Sequence, residues 1–270
     1  MTMLPEHRLM SSQPDHCLAH PKLGLELGAR VQLGALQRDI WLAKRWAALH
    51  EAVAQSIYAP ECELGSVVGV GTADSEEISA ALLVHRATVV FGAESGEQRT
   101  PTPDRTRAVS QAIVEFVAPP PSPDSGSAFG KMATKYTPGL GMTIAAAAYL
   151  ALDAAGTTIL DAVIAASGVH PSPGRFDLAA TRLTGAPATR PSYDMAACEI
   201  ARAVVDAQDL ASNRFLRDIA ELLTDVLAAA SRRARSKHNP FEDASALLAD
   251  HPIPQRATTH EGASRVPYQP

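Results

Sequence analysis

The sequence predicts an all-α protein, a multi-helix chain of two helical halves that can pack as one body. Three observations lead there. Alanine is abundant while aromatics are only 5% of the 270 residues. That balance favours closely packed helices, because Ala is the best helix former and strands draw on branched and aromatic side chains. Apolar residues also recur by threes and fours: Leu33, Leu36, Ile40, Ala43, Trp46, Leu49, Val53 and Ile57 in the front half, Phe215, Leu216, Ile219, Leu222, Leu223, Val226 and Leu227 in the back half. Finally, Pro60, Gly156, Gly168 and Gly185 stand where helical stretches should stop.

Taken in order, residues 1–24 are polar and aperiodic and read as a flexible arm. Residues 25–117 form a first helical domain. Within it, Asp74 and Glu77 match a capping box for a helix over 75–85 that buries Ile78, Ala81 and Leu82. The run Ala87–Phe91 is the best strand candidate, although it can equally finish that helix. Thr102-Pro103-Asp104 opens a further helix burying Val109, Ala112, Ile113 and Phe116. Residues 118–141, rich in Pro, Ser and Gly, read as a linker. A second helical domain follows over 142–250, with helices expected at 142–155, 158–167, 175–184, 192–210, 213–236 and 241–249. Residues 251–270 read as a disordered tail.

Charge and cysteine usage narrow the function classes. The net charge of −5 gives no global attraction for phosphate. Cys17, Cys62 and Cys198 form neither a disulfide framework nor a CxxC pair, which fits a reducing cytoplasm. The start of the chain lacks a signal-peptide pattern. The most apolar stretch, 142–168, carries Asp153 and Asp161 and is expected to span no membrane.

Thr158-Ile159, Val163, Ala166, Gly168, Val169, His170, Pro171 and Ser172 resemble a helix-turn-helix of the kind found in bacterial repressors. The resemblance implies a recognition helix within 157–184, with Arg175 and Arg182 suited to phosphate or guanine. Pro173-Gly174 stand where that helix should continue, so the motif is degenerate. An ordinary helical hairpin with a glycine turn is the preferred account of the same residues. Arg232, Arg233, Arg235 and Lys237 form a second cationic set. It can grip phosphate, or simply complement the negative end of a helix dipole.

Other motifs carry less. Gly65, Gly69 and Gly71 precede an acidic helix start and lack the Gly-Lys-Ser/Thr of a phosphate loop. His16, Cys17 and His20 have near-ligand spacing without a fourth ligand nearby. His50-Glu51 begins a metalloprotease pattern that Ala54 breaks. Asp153 and Asp161 can serve as general acids or bases or as caps, with no partner base or nucleophile in view. No catalytic residue, cofactor or metal is therefore expected, and the balance leans against an enzyme. The chain reads as a non-catalytic helical interaction protein in a protein or nucleoprotein assembly, with a protein partner and nucleic acid reached only through local basic patches. The alternatives are a DNA-binding transcriptional regulator using 157–184 and an enzyme with a helical substrate pocket, for which Asp153, Asp161 or His85 would line the pocket.

Overall fold

A thirteen-residue strand, not a helix, runs through the centre of the molecule over Leu140–Leu152. The computed structural model describes residues 16–20, 23–70, 73–92, 98–101, 113–137, 140–168, 174–208 and 213–236. All of these lie in one unit, Met1–Lys237. In chain order the elements are β1 (Cys17–His20), β2 (Gly24–Gly28), α1 (Leu33–Arg38), α2 (Ile40–Arg45), α3 (Ala47–Ala54), α4 (Leu64–Val70), α5 (Ala73–Val84), β3 (Thr88–Phe91), β4 (Gln98–Pro101) and β5 (Ile113–Ala118). Then come β6 (Ser125–Thr137), β7 (Leu140–Leu152), β8 (Ile159–Ser167), β9 (Gly174–Arg175), α6 (Asp177–Leu183), α7 (Arg190–Gln208) and α8 (Asn213–Arg235).

The strands form two antiparallel sheets. The first has the order β1-β2-β5-β3-β4 and the second β6-β7-β8-β9. The all-α expectation is therefore corrected to a mixed α/β fold. The reason lies in β7. Successive strand residues point to opposite faces, and both faces of this strand are covered. Ala145, Ala147, Tyr149 and Ala151 join a core that contains α3, α5 and the inner face of the first sheet. Ile144, Ala146, Ala148, Leu150 and Leu152 join a second core built with α6, α7 and α8. Two-sided burial erases the apolar–polar alternation that marks a strand, and the alanines supply a helical signature instead.

The same cause accounts for β8, expected as a helix over 158–167. The segment 118–141, expected as a linker, contributes β6, which pairs along its length with β7. Its glycines answer a packing demand. A Cβ on Gly126 would lie 2.3 Å from the Ala230 carbonyl oxygen and 2.5 Å from the Ala234 nitrogen, so α8 rests directly on the β6 backbone. β6 and β7 lie in the sheet that both cores share. The arm expected over 1–24 supplies β1 and the start of β2. The helix expected to open at Thr102 and bury Ile113 and Phe116 is instead β5 over residues 113–118; residues 102–112 lie outside the described residues, as do 1–15, the helix expected at 241–249 and the tail at 251–270.

Helices α7 and α8, each with one wet face, and the buried elements α5 and β3 match the expectations. In α8, Phe215, Ile219, Leu223, Val226 and Leu227 are buried. In α7, Tyr193, Ala196, Ala197, Ile200 and Val204 are. Helix α5 buries Ile78, Ala81 and Leu82, and Ala87–Phe91 yields β3. The front stripe is broken into α1, α2 and α3, with the Asp39 carboxylate accepting the Leu42 N–H at 2.8 Å to cap α2.

His85 closes α5 in a wholly buried position. Its ring meets Tyr149 edge to face at a centroid separation of 6.4 Å, and its Nε2 has no hydrogen-bond partner. Burial pushes its pKa from 6.5 down to about 3. The native state thus needs the neutral ring, while the unfolded chain takes up a proton below 6.5.

Two stability measurements follow. Leu223→Ala, which empties a site in the α8 core, is expected to lower the unfolding free energy by about 2–5 kcal/mol in urea titrations. Stability should also rise with pH between about 3 and 6.5, by up to about 1.4 kcal/mol per unit from His85 alone. His85→Gln should flatten that slope; an unchanged slope would show that His85 does not carry it.

Candidate functional site

The cationic residues singled out in the sequence are scattered. Arg175 sits in β9 and pairs with Asp177 at 2.9 Å. Arg182, on α6, pairs with Glu199 of α7 at 2.7 Å. Arg233 turns inward, where its guanidinium donates to both carboxylate oxygens of Glu51 and, at 2.6 Å, to the Ser127 carbonyl. Arg235 donates to the carbonyls of Gly156, at 2.9 Å, and Ala188. Arg232 is exposed, and Lys237 lies outside the described residues. The cationic end of α8 thus fastens α8 to α3, β6 and the β7–β8 turn. No helix-turn-helix is formed either, since 159–167, where its first helix would lie, is β8, and Gly168 turns the chain at φ +77 with its Cα hydrogen facing the Thr143 carbonyl, where a Cβ would lie 2.0 Å away.

The carboxylates considered as acid or base are also engaged. The Asp153 side chain accepts from the N–H of Thr157 at 2.7 Å and of Thr158 at 3.0 Å, and these bonds hold its pKa below the ordinary value. It organises the β7–β8 turn. Asp161 pairs with Arg86 at 2.6 Å. Glu51 accepts the Phe129 N–H at 2.9 Å in addition to Arg233, and Lys131 links the Gln55 carbonyl to Glu77 at 3.0 Å. These contacts join layers and leave no paired acid and base facing a common point.

One cluster on the outer face of the first sheet is different. Strand alternation sends Cys17 and Ala19 of β1 toward the core, and His16 and Leu18 to the other side. Leu25, Leu27, Phe116 and Ala118 face the core, so Glu26 and Glu115 share the outer face with His16. The His16 carbonyl accepts the Gly28 N–H at 2.9 Å, and Gly28 is opposite Glu115. With no side chain on Gly28, the imidazole from β1 reaches the carboxylate from β5, and His16 Nε2 lies 3.3 Å from Glu115 Oε1. Glu26, two residues along β2, completes the trio; one ligating atom from each of the three lies within 4.8 Å of the others. All three are half-buried. The sequence showed His16 beside Cys17 and His20. In a strand adjacent residues face oppositely, so Cys17 cannot join it, and its true neighbours come from two other strands.

Cys17 serves the core instead. Its thiol donates to Asp39 at 3.5 Å, and burial, followed by the charge and hydrogen bonding of Asp39, pushes its pKa up to about 12. Cys17, Cys62 and Cys198 are all free cysteines.

No protein-family model matches the chain, and no curated protein matches its sequence. Solved structures do resemble it. A chain of a Cu,Mo-CO dehydrogenase in a cyanide-inactivated form aligns at a TM-score of 0.62 and 18% identity, covering 81% of this chain and 78% of that one. A chain of carbon monoxide dehydrogenase from Hydrogenophaga pseudoflava, in a form lacking the Mo-pyranopterin moiety, aligns at 0.64 and 19%, covering 82% and 79%. A chain of quinoline 2-oxidoreductase from Pseudomonas putida 86 aligns at 0.63 and 17%, covering 83% and 80%. At these identities the likeness is one of fold.

That likeness corrects the functional expectation. The chain is not an all-helical assembly protein, nor a helix-turn-helix regulator, and a pocket made of helices alone does not fit its sheet-centred cores. Among the described residues no helix is long and apolar enough to cross a membrane.

If the Glu51–Arg233 contact joins the layers as described, Arg233→Ala should lower stability by about 1–3 kcal/mol, since it removes charged hydrogen bonds to Glu51 and to the Ser127 carbonyl. A double-mutant cycle with Glu51→Gln, followed by thermal unfolding, should give a clearly non-additive result.

Proposed function

We propose that this chain is a domain of an oxidoreductase and works beside a separate chain that carries the redox metal. The observation that carries this reading is the shared fold: four-fifths of this chain and of each neighbour align, with TM-scores of 0.62–0.64, across two CO dehydrogenases and a quinoline 2-oxidoreductase.

The donor chemistry of this chain bears on where the metal would sit. One neighbour is a copper- and molybdenum-containing CO dehydrogenase. Copper in its reduced form takes soft thiolate ligands. The Cys17 thiol is held protonated by its burial, and it points into the core. Cys62 packs on that same core and Cys198 lies on α7, within another layer. The described residues therefore do not fit a copper–molybdenum centre, and no step of such chemistry is assigned to them. What they build is a two-sheet body with helices on both sides of its second sheet. The three free thiols agree with a cytoplasmic setting.

The test is purification of the tagged full chain from its native host, followed by elemental analysis and visible spectroscopy. The expected result is co-elution with a larger chain, molybdenum in the complex, and substrate-dependent reduction of an artificial electron acceptor. A chain that elutes alone at its own mass of 28.5 kDa, with no molybdenum and no visible absorbance, would overturn the proposal.

A further inference from the structure

We propose that His16, Glu26 and Glu115 form a binding site for a first-row divalent cation on the outer face of the first sheet. The proposal does not depend on the oxidoreductase reading, because it rests only on three side chains and the strands that hold them.

Geometry makes the first argument. Three different strands each deliver one ligand to the same patch: β1's flank gives His16, β2 gives Glu26 and β5 gives Glu115. Sheet pairing fixes their spacing, so the ligands are held by backbone hydrogen bonds and do not depend on a loop. Gly28 stands between His16 and Glu115, and its missing side chain leaves the space in which their ligating atoms meet.

Distance makes the second. A four-coordinate zinc with bonds near 2.1 Å places its ligand atoms about 3.4 Å apart. His16 Nε2 and Glu115 Oε1 are already 3.3 Å apart. Glu26 offers its oxygen within 4.8 Å of the other two, so closing the third edge takes a side-chain rotation of little more than an ångström.

Charge and donor type make the third. Two carboxylates and an imidazole supply anionic oxygens and a ring nitrogen in a half-buried patch, a donor set suited to a dication. A mixed nitrogen–oxygen set without sulfur selects zinc, manganese or ferrous iron over copper(I), which prefers thiolates, and the imidazole disfavours magnesium and calcium. Three protein ligands leave one or more positions for water or a small anionic ligand, the arrangement of an open rather than a closed structural site.

The experiment is calorimetric titration of the full chain with zinc chloride and with manganese chloride, and cobalt(II) as a spectroscopic probe. One equivalent of zinc should bind, cobalt should give a ligand-field band that zinc abolishes, and the thermal midpoint should rise with zinc. Glu26→Gln keeps size and hydrogen bonding, and should weaken zinc by at least about ten-fold, since even changes in outer-shell partners cost 10–100-fold. His16→Ala should do the same. His20→Ala, whose Nδ1 accepts the Leu23 N–H in the adjoining turn, should bind zinc as the unchanged chain does. The proposal is overturned if the full chain takes up no stoichiometric zinc, if Glu26→Gln binds it unchanged, or if His20→Ala loses it. Circular dichroism of each metal-free variant separates loss of ligand from loss of fold.

Discussion

A four-stranded sheet with helices on both faces has no polar side to show to water, and the rest of the structure follows from that constraint in the second sheet. Its two central strands are therefore apolar over most of their length, with Thr143, Asp161 and Ser167 as the exceptions. In β7 the inner register Ala145, Ala147, Tyr149, Ala151 faces one core and Ile144, Ala146, Ala148, Leu150, Leu152 the other. Most of these side chains are small, and a small side chain removes little apolar area from water. Stability then depends on close approach, since contact energy falls off steeply with even a sub-ångström gap. The helices therefore come down almost onto the strands. Gly126 marks the closest place, where α8 leaves no room for a Cβ.

Close approach brings polar backbone and charged side chains into the same crowded junctions, where unpaired groups are costly. The fold meets this at two points on β6. Glu51 of α3 takes the Phe129 N–H and both arms of Arg233, and Arg233 takes the Ser127 carbonyl in turn. Nearby, the Ser127 hydroxyl accepts the Ala48 N–H at 3.0 Å. Lys131 then ties β6 to the end of α3 and to Glu77 of α5, whose side chain is nearly inaccessible. A pair of opposite charges in such a place is weak evidence for net stabilisation, but removing one partner strands the other. These contacts act as fasteners between layers, which is why the basic end of α8 is not an open patch.

Legibility in the sequence followed the wet faces of the two long helices. Helices α7 and α8 each keep one exposed side, so their apolar stripes stood out at the right places; α5, buried all round from Glu76 to His85, was legible from its capping pattern and apolar spacing. Strand β3 stood out through its β-branched run, Thr88-Val89-Val90. The strands β7 and β8, buried on both sides over 144–152 and 162–167, carried no alternation there, and their alanines argued for the wrong element. In β6, Gly126 and Gly130 looked like linker residues although they are contact residues for α8. The candidate cation site was legible only as His16. Its partners stand on β2 and on β5, roughly a hundred residues later, and only sheet pairing brings them together.

The two sheets therefore divide the work in physical terms. The second is closed on both faces, and its polar groups are spent on joining layers. The first is apolar on one face and presents histidine and glutamates on the other, so its chemistry-bearing groups point away from the core. A fold shared with oxidoreductase chains says how the body is built and leaves the activity to the groups set on it. In this chain those groups are hard and borderline donors on the outer face of the first sheet, while the thiol most open to comparison with a copper ligand is locked inward beside Asp39. If the proposed cation site is filled, its occupation would fix β1 against β2 and β5 at the edge of the sheet.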